Sequence, residues 1–446
     1  MSALFPPLAN DTRRMLKRLP ALIDGVFPLP LRFRSGLKRD VAELSRLLTS
    51  GREERGASYL GKPALLSAYL RYFLPWNIYR LCRLFAALPL ELKAGDAVND
   101  LGAGPLTLAA SLWISRPDLR NIPLEFRCLD RTAAVLEAGK KFFSALAADT
   151  SGHAGSGNGN TASHSPPCPW EIRTIHGELR LGRGKSGDAR RPAGLSAEIR
   201  GKPAALSAAI NVYNELFWNF SPVDTDGLKQ FAGNQARLLS SLTEKSGSIL
   251  VVEPGIPRSG EFIAMLRSGL TEESRLPLSP CVHSGPCPLP GGRLAGRAGG
   301  KAKWCHFAFD TDDAPEELQR LSAAAGIPKE RAVLSFILAG PVSADIKAKT
   351  GSMIGAENTG RLPANAGRPV KIRVISDAFP AGGNGAGKRG QGNESWVRYG
   401  CCERGLVLVT GSRENLESAA SGALEELTIG DGLLDAKSGA LIAARS

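Results

Sequence analysis

The chain has no run of about eighteen consecutive apolar residues, so no membrane-spanning helix is expected. Its first residues lack the apolar core of a secretory leader and carry Pro6-Pro7, which predicts no secretory signal. Arg13-Arg14-Met15-Leu16-Lys17-Arg18 reads as a basic surface helix, with part of a mitochondrial presequence as the alternative. The eight cysteines, in a chain without a leader, argue against a disulfide framework. Acidic residues are in deficit: 43 Asp and Glu against 56 Lys and Arg leave a formal charge of +13. That excess favours an acidic partner, with RNA first and a membrane surface second. The 446 residues suffice for two or three domains, and the 50 glycines concentrate in a few loops. The expected location is the cytoplasm, or the mitochondrion in a eukaryote.

What is present is organised around Val98-Asn99-Asp100-Leu101-Gly102-Ala103-Gly104-Pro105-Leu106-Thr107. Asp100 ends a short apolar strand, two glycines follow one residue apart, and Leu106–Trp113 reads as an apolar helix. Glycines let the backbone approach a ligand closely, and a helix start offers free N–H groups. The turn is therefore a candidate nucleotide-type site, an ordinary tight strand-to-helix turn being the competing reading. Leu124–Leu129 reads as a second strand ending at Asp130, placed to accept hydrogen bonds from ribose hydroxyls. Thr132–Leu146 follows as a helix. The third glycine of the dinucleotide fingerprint is missing, since Thr107 stands there, which counts against a pyrophosphate. Asp-x-Gly-x-Gly instead resembles S-adenosylmethionine-dependent methyltransferases, whose cofactor has a ribose without phosphate. Many of those enzymes have a further Gly where this chain has Leu106. Gly102→Val is expected to fill the ligand space and abolish S-adenosylmethionine binding without unfolding the chain.

Residues 1–92 read as a helical N-terminal region, with apolar residues at helical spacing from Val41 to Leu48 and from Ala64 to Leu88. Pro75 should kink or divide the second run. Tyr69, Tyr72, Trp76 and Tyr79 lie among Arg71, Arg80 and Arg83; packing against the next domain is preferred over RNA stacking. Residues 93–340 form the nucleotide-fold domain. Gly- and Ser-rich stretches at 150–169, 181–203 and 341–368 read as loose insertions. Trp170–Ile175, Pro203–Tyr213 and Gly247–Gly255 read as strands three to five, and Arg331–Gly340 as a late strand completing the sheet. Asn214-Glu215-Leu216 ends strand four, where methyltransferases face the transferred methyl group. Neither an Asn-Pro-Pro-Tyr motif nor a Pro-Cys stands there, so no catalytic residue is singled out. Glu253 reads as a turn cap at least as well as a catalytic group. Residues 341–446 read as a flexible insertion and a small β-rich extension, with a last helix over Glu414–Leu427.

The second constellation is Pro280-Cys281-Val282-His283-Ser284-Gly285-Pro286-Cys287-Pro288, followed by Lys303-Trp304-Cys305-His306-Phe307 and, much later, Cys401-Cys402. Thiolate clusters outside a secretory context usually hold zinc or iron–sulfur. Zinc would take Cys281, Cys287, Cys305 and a histidine; iron–sulfur prefers four thiolates. Cys82, Cys128 and Cys168 look like ordinary thiols. Nearby Arg293, Arg297, Lys301 and Lys303 are expected to meet phosphate.

These segments together resemble the methyltransferase-like small-ribosomal-subunit family, which has bacterial members and mitochondrial ribosome-assembly factors. The resemblance rests on Asp100-x-Gly-x-Gly-Pro, Asn214-Glu215-Leu216, Val252-Glu253-Pro254-Gly255-Ile256-Pro257 and the two cysteine segments, and covers roughly residues 60–410. It implies an α/β, Rossmann-like methyltransferase domain, with the cysteine segment at 277–309. It also implies S-adenosylmethionine at Asp100, Gly102, Gly104, Asp130, Asn214 and Glu215, and association with the small ribosomal subunit or its rRNA. A four-cysteine 4Fe–4S site carries over to Cys281, Cys287 and Cys305, and its fourth ligand to the Cys401-Cys402 pair. Cys401 is preferred, because strand neighbours point to opposite faces. Methyl transfer and non-catalytic assembly remain alternatives.

Overall fold

The computed structural model describes residues 3–54, 59–153, 168–179, 197–217, 224–289, 303–341, 369–381, 395–430, 433–436 and 438–445. Most of the expected insertions, His164, Arg293, Arg297 and Lys301 lie outside these, as does the side chain of His153.

The N-terminal region is helical: Asn10–Val26, Leu37–Leu48, Pro63–Ala68 and Leu74–Phe85. Pro75 sits in the first turn of the last helix, where its missing N–H costs least. The chain before it widens into a π turn, Tyr69–Phe73, so the expected kink is a wide turn rather than a gap. Tyr72, Trp76 and Tyr79 are buried. Trp76 Nε1 donates to Ser322 Oγ at 3.1 Å, and the Tyr72 hydroxyl donates to the Ile327 carbonyl at 3.3 Å. These aromatics pack on the following domain and are unavailable for base stacking.

The central sheet contains β1 (Ala97–Leu101), β2 (Leu124–Asp130), β3 (Trp170–His176), β4 (Ala204–Ile210), β5 (Thr243–Pro254), β6 (Arg275–Ser279), β7 (Phe307–Asp310) and β8 (Arg331–Pro341). Its order is β3-β2-β1-β4-β5-β8-β6, with β7 also on β8. β1 to β5 are mutually parallel, and β8 is antiparallel to β5. Helices lie between the parallel strands, which makes this the Rossmann-like α/β fold with a reversed late strand. β1 is buried along its whole length, as a central parallel strand should be, and Asn99 Nδ2 satisfies itself on the Leu242 carbonyl at 3.2 Å. The helix Thr107–Ser115 is buried through Ile114, wedged between the sheet and the N-terminal helices.

β6 and β7 were not expected. They lie end to end along one edge of β8: Arg275–Ser279 runs beside Pro341–Leu338, and Phe307–Asp310 beside Leu334–Arg331. Between them, residues 280–289 lead away from β6 and residues 303–306 lead into β7. These stretches carry Cys281, Cys287 and Cys305, with Cys281 next to β6 and Cys305 next to β7.

A second sheet has the order β13-β9-β11-β12-β14, with β10 on β11: β9 (Pro369–Val374), β10 (Phe379–Pro380), β11 (Trp396–Cys402), β12 (Gly405–Gly411), β13 (Leu424–Thr428) and β14 (Leu441–Ala444). The expected helix over Glu414–Leu427 is corrected: only Arg413–Glu417 is helical and Leu424–Thr428 is a strand. Gly422, at φ +85°, turns the chain back, and a side chain there would meet Leu4 Cβ at 2.9 Å. Val397, Tyr399 and Leu408 join the main core, so this sheet is packed onto the first. No described helix is long and apolar enough to cross a membrane.

Candidate functional site

The C-terminal ends of β1, β2 and β4 enclose a cavity of about 120 Å³ lined by Gly102, Gly104, Asp130, Asn211, Glu215 and Tyr69 among others. Open α/β sheets bind ligands at this end of the strands. Asp130 is half-buried and braces the loop: Oδ2 accepts from Gly104 N at 3.0 Å and Oδ1 from Thr132 N at 2.8 Å. Burial pushes its carboxyl above the usual range, and the N–H donors hold it partly back.

The two glycines serve different ends. Gly102, at φ +75°, is tight: a Cβ would lie 2.4 Å from Val212 Cγ2. Gly102→Val would therefore strain the fold itself, which corrects the expectation of a clean block. Gly104, at φ +53°, faces open space, its nearest neighbour being the Tyr69 hydroxyl at 4.0 Å. Leu106, where the resemblance favours Gly, adopts φ +60° and ψ 42° while fully buried. A left-handed leucine is strained by ~1–2 kcal/mol, so packing here overrides backbone preference.

Asp100 is 1 % exposed, and its Oδ2 has no partner among the described residues. It borders a second, water-sized space of about 20 Å³ beside Tyr69, Asn77 and Asn211. Burial, and then the neighbouring Asp130, push its carboxyl up to about 8.

Glu215 lines the cavity and is engaged by Arg131 at 3.1 Å and by the Tyr59 hydroxyl at 3.3 Å. Asn214 does not line it. Its Nδ2 and backbone N donate to Glu253 Oε2 at 2.9 and 3.0 Å, and Arg52 Nη1 donates to its Oδ1 at 3.2 Å. Tyr213 N donates to Glu253 Oε1 at 2.8 Å. Glu253, fully buried, thus caps the turn after β4; burial raises its carboxyl to about 7 against these hydrogen bonds.

Tyr59, Leu60, Tyr69 and Asn211 were missed as cavity residues. For the first three the sequence carried no signal, because the helical region folds back over the strand tips. Asn211 had one: it follows an apolar strand and adopts φ +57°, a conformation that Asn tolerates. Its Oδ1 lies 3.4 Å from Arg80 Nη2.

The topology brings four of the cysteines together. Cys305 feels the thiols of Cys281, Cys287 and Cys401, and burial with this mutual repulsion holds its own thiol well above the ordinary value. Arg267 is 4 % exposed; Nε donates to Cys281 Sγ at 3.2 Å, and Nη2 to the carbonyls of His283 at 3.0 Å and Gly285 at 2.6 Å. Arg373, from the second sheet, donates to the Pro280 carbonyl at 2.9 Å. On β11, Cys401 turns toward this segment, with His283 Nε2 3.5 Å from its Sγ, whereas Cys402 is buried in the core of the second sheet. His306 turns away, bonded to the Trp304 carbonyl at 3.1 Å. The thiols are neighbours without closing on a point: among the described residues no three His, Cys, Asp or Glu side chains are set to hold a metal ion. All eight cysteines are free thiols.

Residues 226–350 match the family model of the mitochondrial small ribosomal subunit protein Rsm22. Over this segment, a little over a quarter of the chain, the sequence is similar to that small-subunit family. The matched stretch contains Cys281, Cys287 and Cys305, but neither the glycine loop nor Cys401. No curated protein matches the chain by sequence. Among solved structures, it is similar to a Listeria monocytogenes protein assigned as a class I S-adenosylmethionine-dependent methyltransferase, at 10 % identity over 76 % of this chain and 88 % of that one, TM-score 0.32. A precorrin-6y C5,15-methyltransferase from Geobacter metallireducens aligns at 9 % identity over 60 % and 87 %, TM-score 0.28. Aeropyrum pernix fibrillarin with natively bound S-adenosyl-L-methionine aligns at 17 % over 47 % and 72 %, TM-score 0.24. These scores are low, and the strand order itself carries the fold.

Proposed function

We propose that this chain binds S-adenosylmethionine at the tips of β1, β2 and β4 and works on the small ribosomal subunit or its rRNA. The observation that carries this reading is the cavity beside the glycine loop, with Asp130 at the end of β2 and open space in front of Gly104. The residues fit the cofactor: Gly104 leaves room for it, Asp130 can accept from ribose, and Tyr69 and Glu215 border the same space. Asp100 has an unpartnered carboxylate oxygen just behind the loop. Asn214 acts as a positioning residue, holding the β4 turn through Glu253. Bound there, the cofactor would supply an electrophilic methyl group; the chain's own part is to bind, orient and enclose it.

A second reading is a non-catalytic small-subunit assembly factor that keeps the methyltransferase fold, with or without the cofactor. The engagement of Glu215 by Arg131 and Tyr59 favours it, since the carboxylate beside the β4 tip is held in an ion pair. RNA crosslinking in cells, followed by modification mapping on small-subunit rRNA from a deletion strain, tests both. Crosslinks with one lost methyl mark support the enzyme, crosslinks with an unchanged modification map support the assembly factor, and absent crosslinks contradict both.

We further infer a 4Fe–4S cluster held by Cys281, Cys287, Cys305 and Cys401, stapling the second sheet to the cysteine segment at the β8 edge. Supporting it are the gathering of four free thiols from distant parts of the chain and the buried Arg267 cation that donates to Cys281 Sγ. The competing occupant is zinc, with His283 in place of Cys401. Anaerobically purified protein should be brown and hold about four irons per chain. Colourless protein with one zinc, unaffected by Cys401→Ser, would overturn the cluster.

A further inference from the structure

Of the cations expected to meet phosphate beside the cysteine segment, Lys303 alone is among the described residues, and its Nζ lies 3.8 Å over the Tyr399 ring. A different surface stands out in the N-terminal region. Among the described residues four large apolar side chains are exposed, and two of them, Leu31 at 80 % and Phe33 at 53 %, share the single helical turn Leu31–Arg34. Arg32 and Arg34 alternate with them and are also exposed. Lys38 and Arg39 follow at the start of the helix Leu37–Leu48. Four cations thus stand against one carboxylate, Asp40, between residues 31 and 40.

None of this is explained by stability. Exposed Leu and Phe gain nothing from burial, and cations in a helix's first turn oppose its dipole unless an external anion meets them. The turn is nevertheless ordered. Phe33 N donates to the Pro30 carbonyl at 2.9 Å, and Arg34 Nε to the Leu29 carbonyl at 3.2 Å. Pro28 and Pro30 restrict the chain leading into it. The Arg32 guanidinium lies 4.9 Å from the Phe33 ring centroid, over one face, and the residue as a whole stays 53 % exposed.

We propose that this turn, with Lys38 and Arg39, docks single-stranded RNA: a base stacks on Phe33, and flanking phosphates meet Arg34, Lys38 and Arg39. Aromatic platforms with interleaved cations bind single strands in this way, because every base has a π face and every linkage a charge. A membrane surface fits less well. An interfacial helix keeps its cations on the face opposite its apolar residues, whereas here both kinds crowd one four-residue turn, so seating Phe33 among acyl chains would drag Arg32 and Arg34 with it. The inference rests on the small-subunit reading only for which RNA is bound in the cell. The surface belongs to the helical region that also supplies Tyr59, Leu60 and Tyr69 to the cofactor cavity.

The test is fluorescence anisotropy of the full chain with a labelled, U-rich single-stranded RNA of about fifteen nucleotides, an RNA duplex of equal length, and phosphatidylserine-containing vesicles. Phe33→Ala should weaken single-strand binding by ~5- to 100-fold and Phe33→Tyr should restore it, since stacking on one aromatic is worth that much. Arg34→Ala/Lys38→Ala should flatten the slope of log affinity against log salt by about 1 to 1.5, two phosphate contacts at ~0.7 each. Both variants should bind S-adenosylmethionine as the parent does. Unchanged RNA affinity and salt slope in these variants would overturn the proposal. So would a parent chain that binds no single-stranded RNA at low salt, or vesicle binding that Phe33→Ala abolishes while RNA binding persists. Loss of cofactor binding in the parent with RNA docking intact would instead count against the earlier reading alone.

Discussion

Gly102→Ala separates backbone strain and packing at the glycine loop. At φ +75° an alanine is held in the left-handed region, at ~1–2 kcal/mol. Its Cβ also lies 2.4 Å from Val212 Cγ2, and such overpacking typically costs ~1–3 kcal/mol. The single variant should therefore lose about 2–5 kcal/mol of stability. Val212 is half-buried, so Val212→Ala alone should cost ~1 kcal/mol or less. In the double variant the two closest contacts are removed, the Cβ of residue 212 remains at 3.3 Å, and the backbone strain stays. The cycle should thus show a favourable coupling of ~1–3 kcal/mol. Urea denaturation reads this as a midpoint shift at constant slope, with calorimetry following S-adenosylmethionine in parallel. Additive effects, or a Gly102→Ala chain as stable as the parent, would refute the reasoning.

Two further predictions concern the same end of the sheet. Asp100 has a folded-state pKa raised to about 8 against 3.8 when exposed, so the stability it contributes is present below about pH 4 and lost as pH rises through 8. Asp100→Asn should remove that loss, so the variant's stability relative to the parent should rise by a few kcal/mol between pH 4 and pH 9; melting curves that never diverge with pH would contradict it. Gly139→Ala should destabilise by ~1–3 kcal/mol despite alanine's better helix propensity, because its Cβ would lie 2.5 Å from the Pro105 carbonyl carbon, a backbone atom that cannot swing aside. A thermal midpoint that rises instead would show that the helix Ala133–His153 does not pack on the glycine loop as described.

The parallel half of the fold was legible because its physics is local. β1, β2 and β4 are apolar runs closed by turn residues, and Thr225–Leu242 and Glu316–Ala324 show helical spacing with flanking breakers. β6 and β7 were not legible. They are five and four residues long, β6 contains Pro277, and both are strands only because β8 offers them an edge. The proximity of Cys281 and Cys305 follows from that edge, so their meeting was inferred from residue types rather than from structure. β13 was hidden for a similar reason: Leu424–Thr428 pairs with a strand more than fifty residues earlier. At the cavity, Gly102, Gly104 and Asp130 were read from a turn that any strand-to-helix junction must build. Tyr59 and Leu60 reach it only through tertiary folding of the helical region. Asn214 looked like a cavity residue from its place after β4, yet Glu253, 39 residues away in sequence, draws it aside.

The most direct test of the account is calorimetric titration of S-adenosylmethionine into the full chain and into Gly104→Asn. Asparagine tolerates φ +53°, so the backbone should hold, while its side chain enters the open space before Tyr69. The account predicts one cofactor per parent chain and binding weakened at least ~10-fold in a variant whose melting temperature is little changed. Equal affinity in the two proteins, or no binding to the parent, would contradict it.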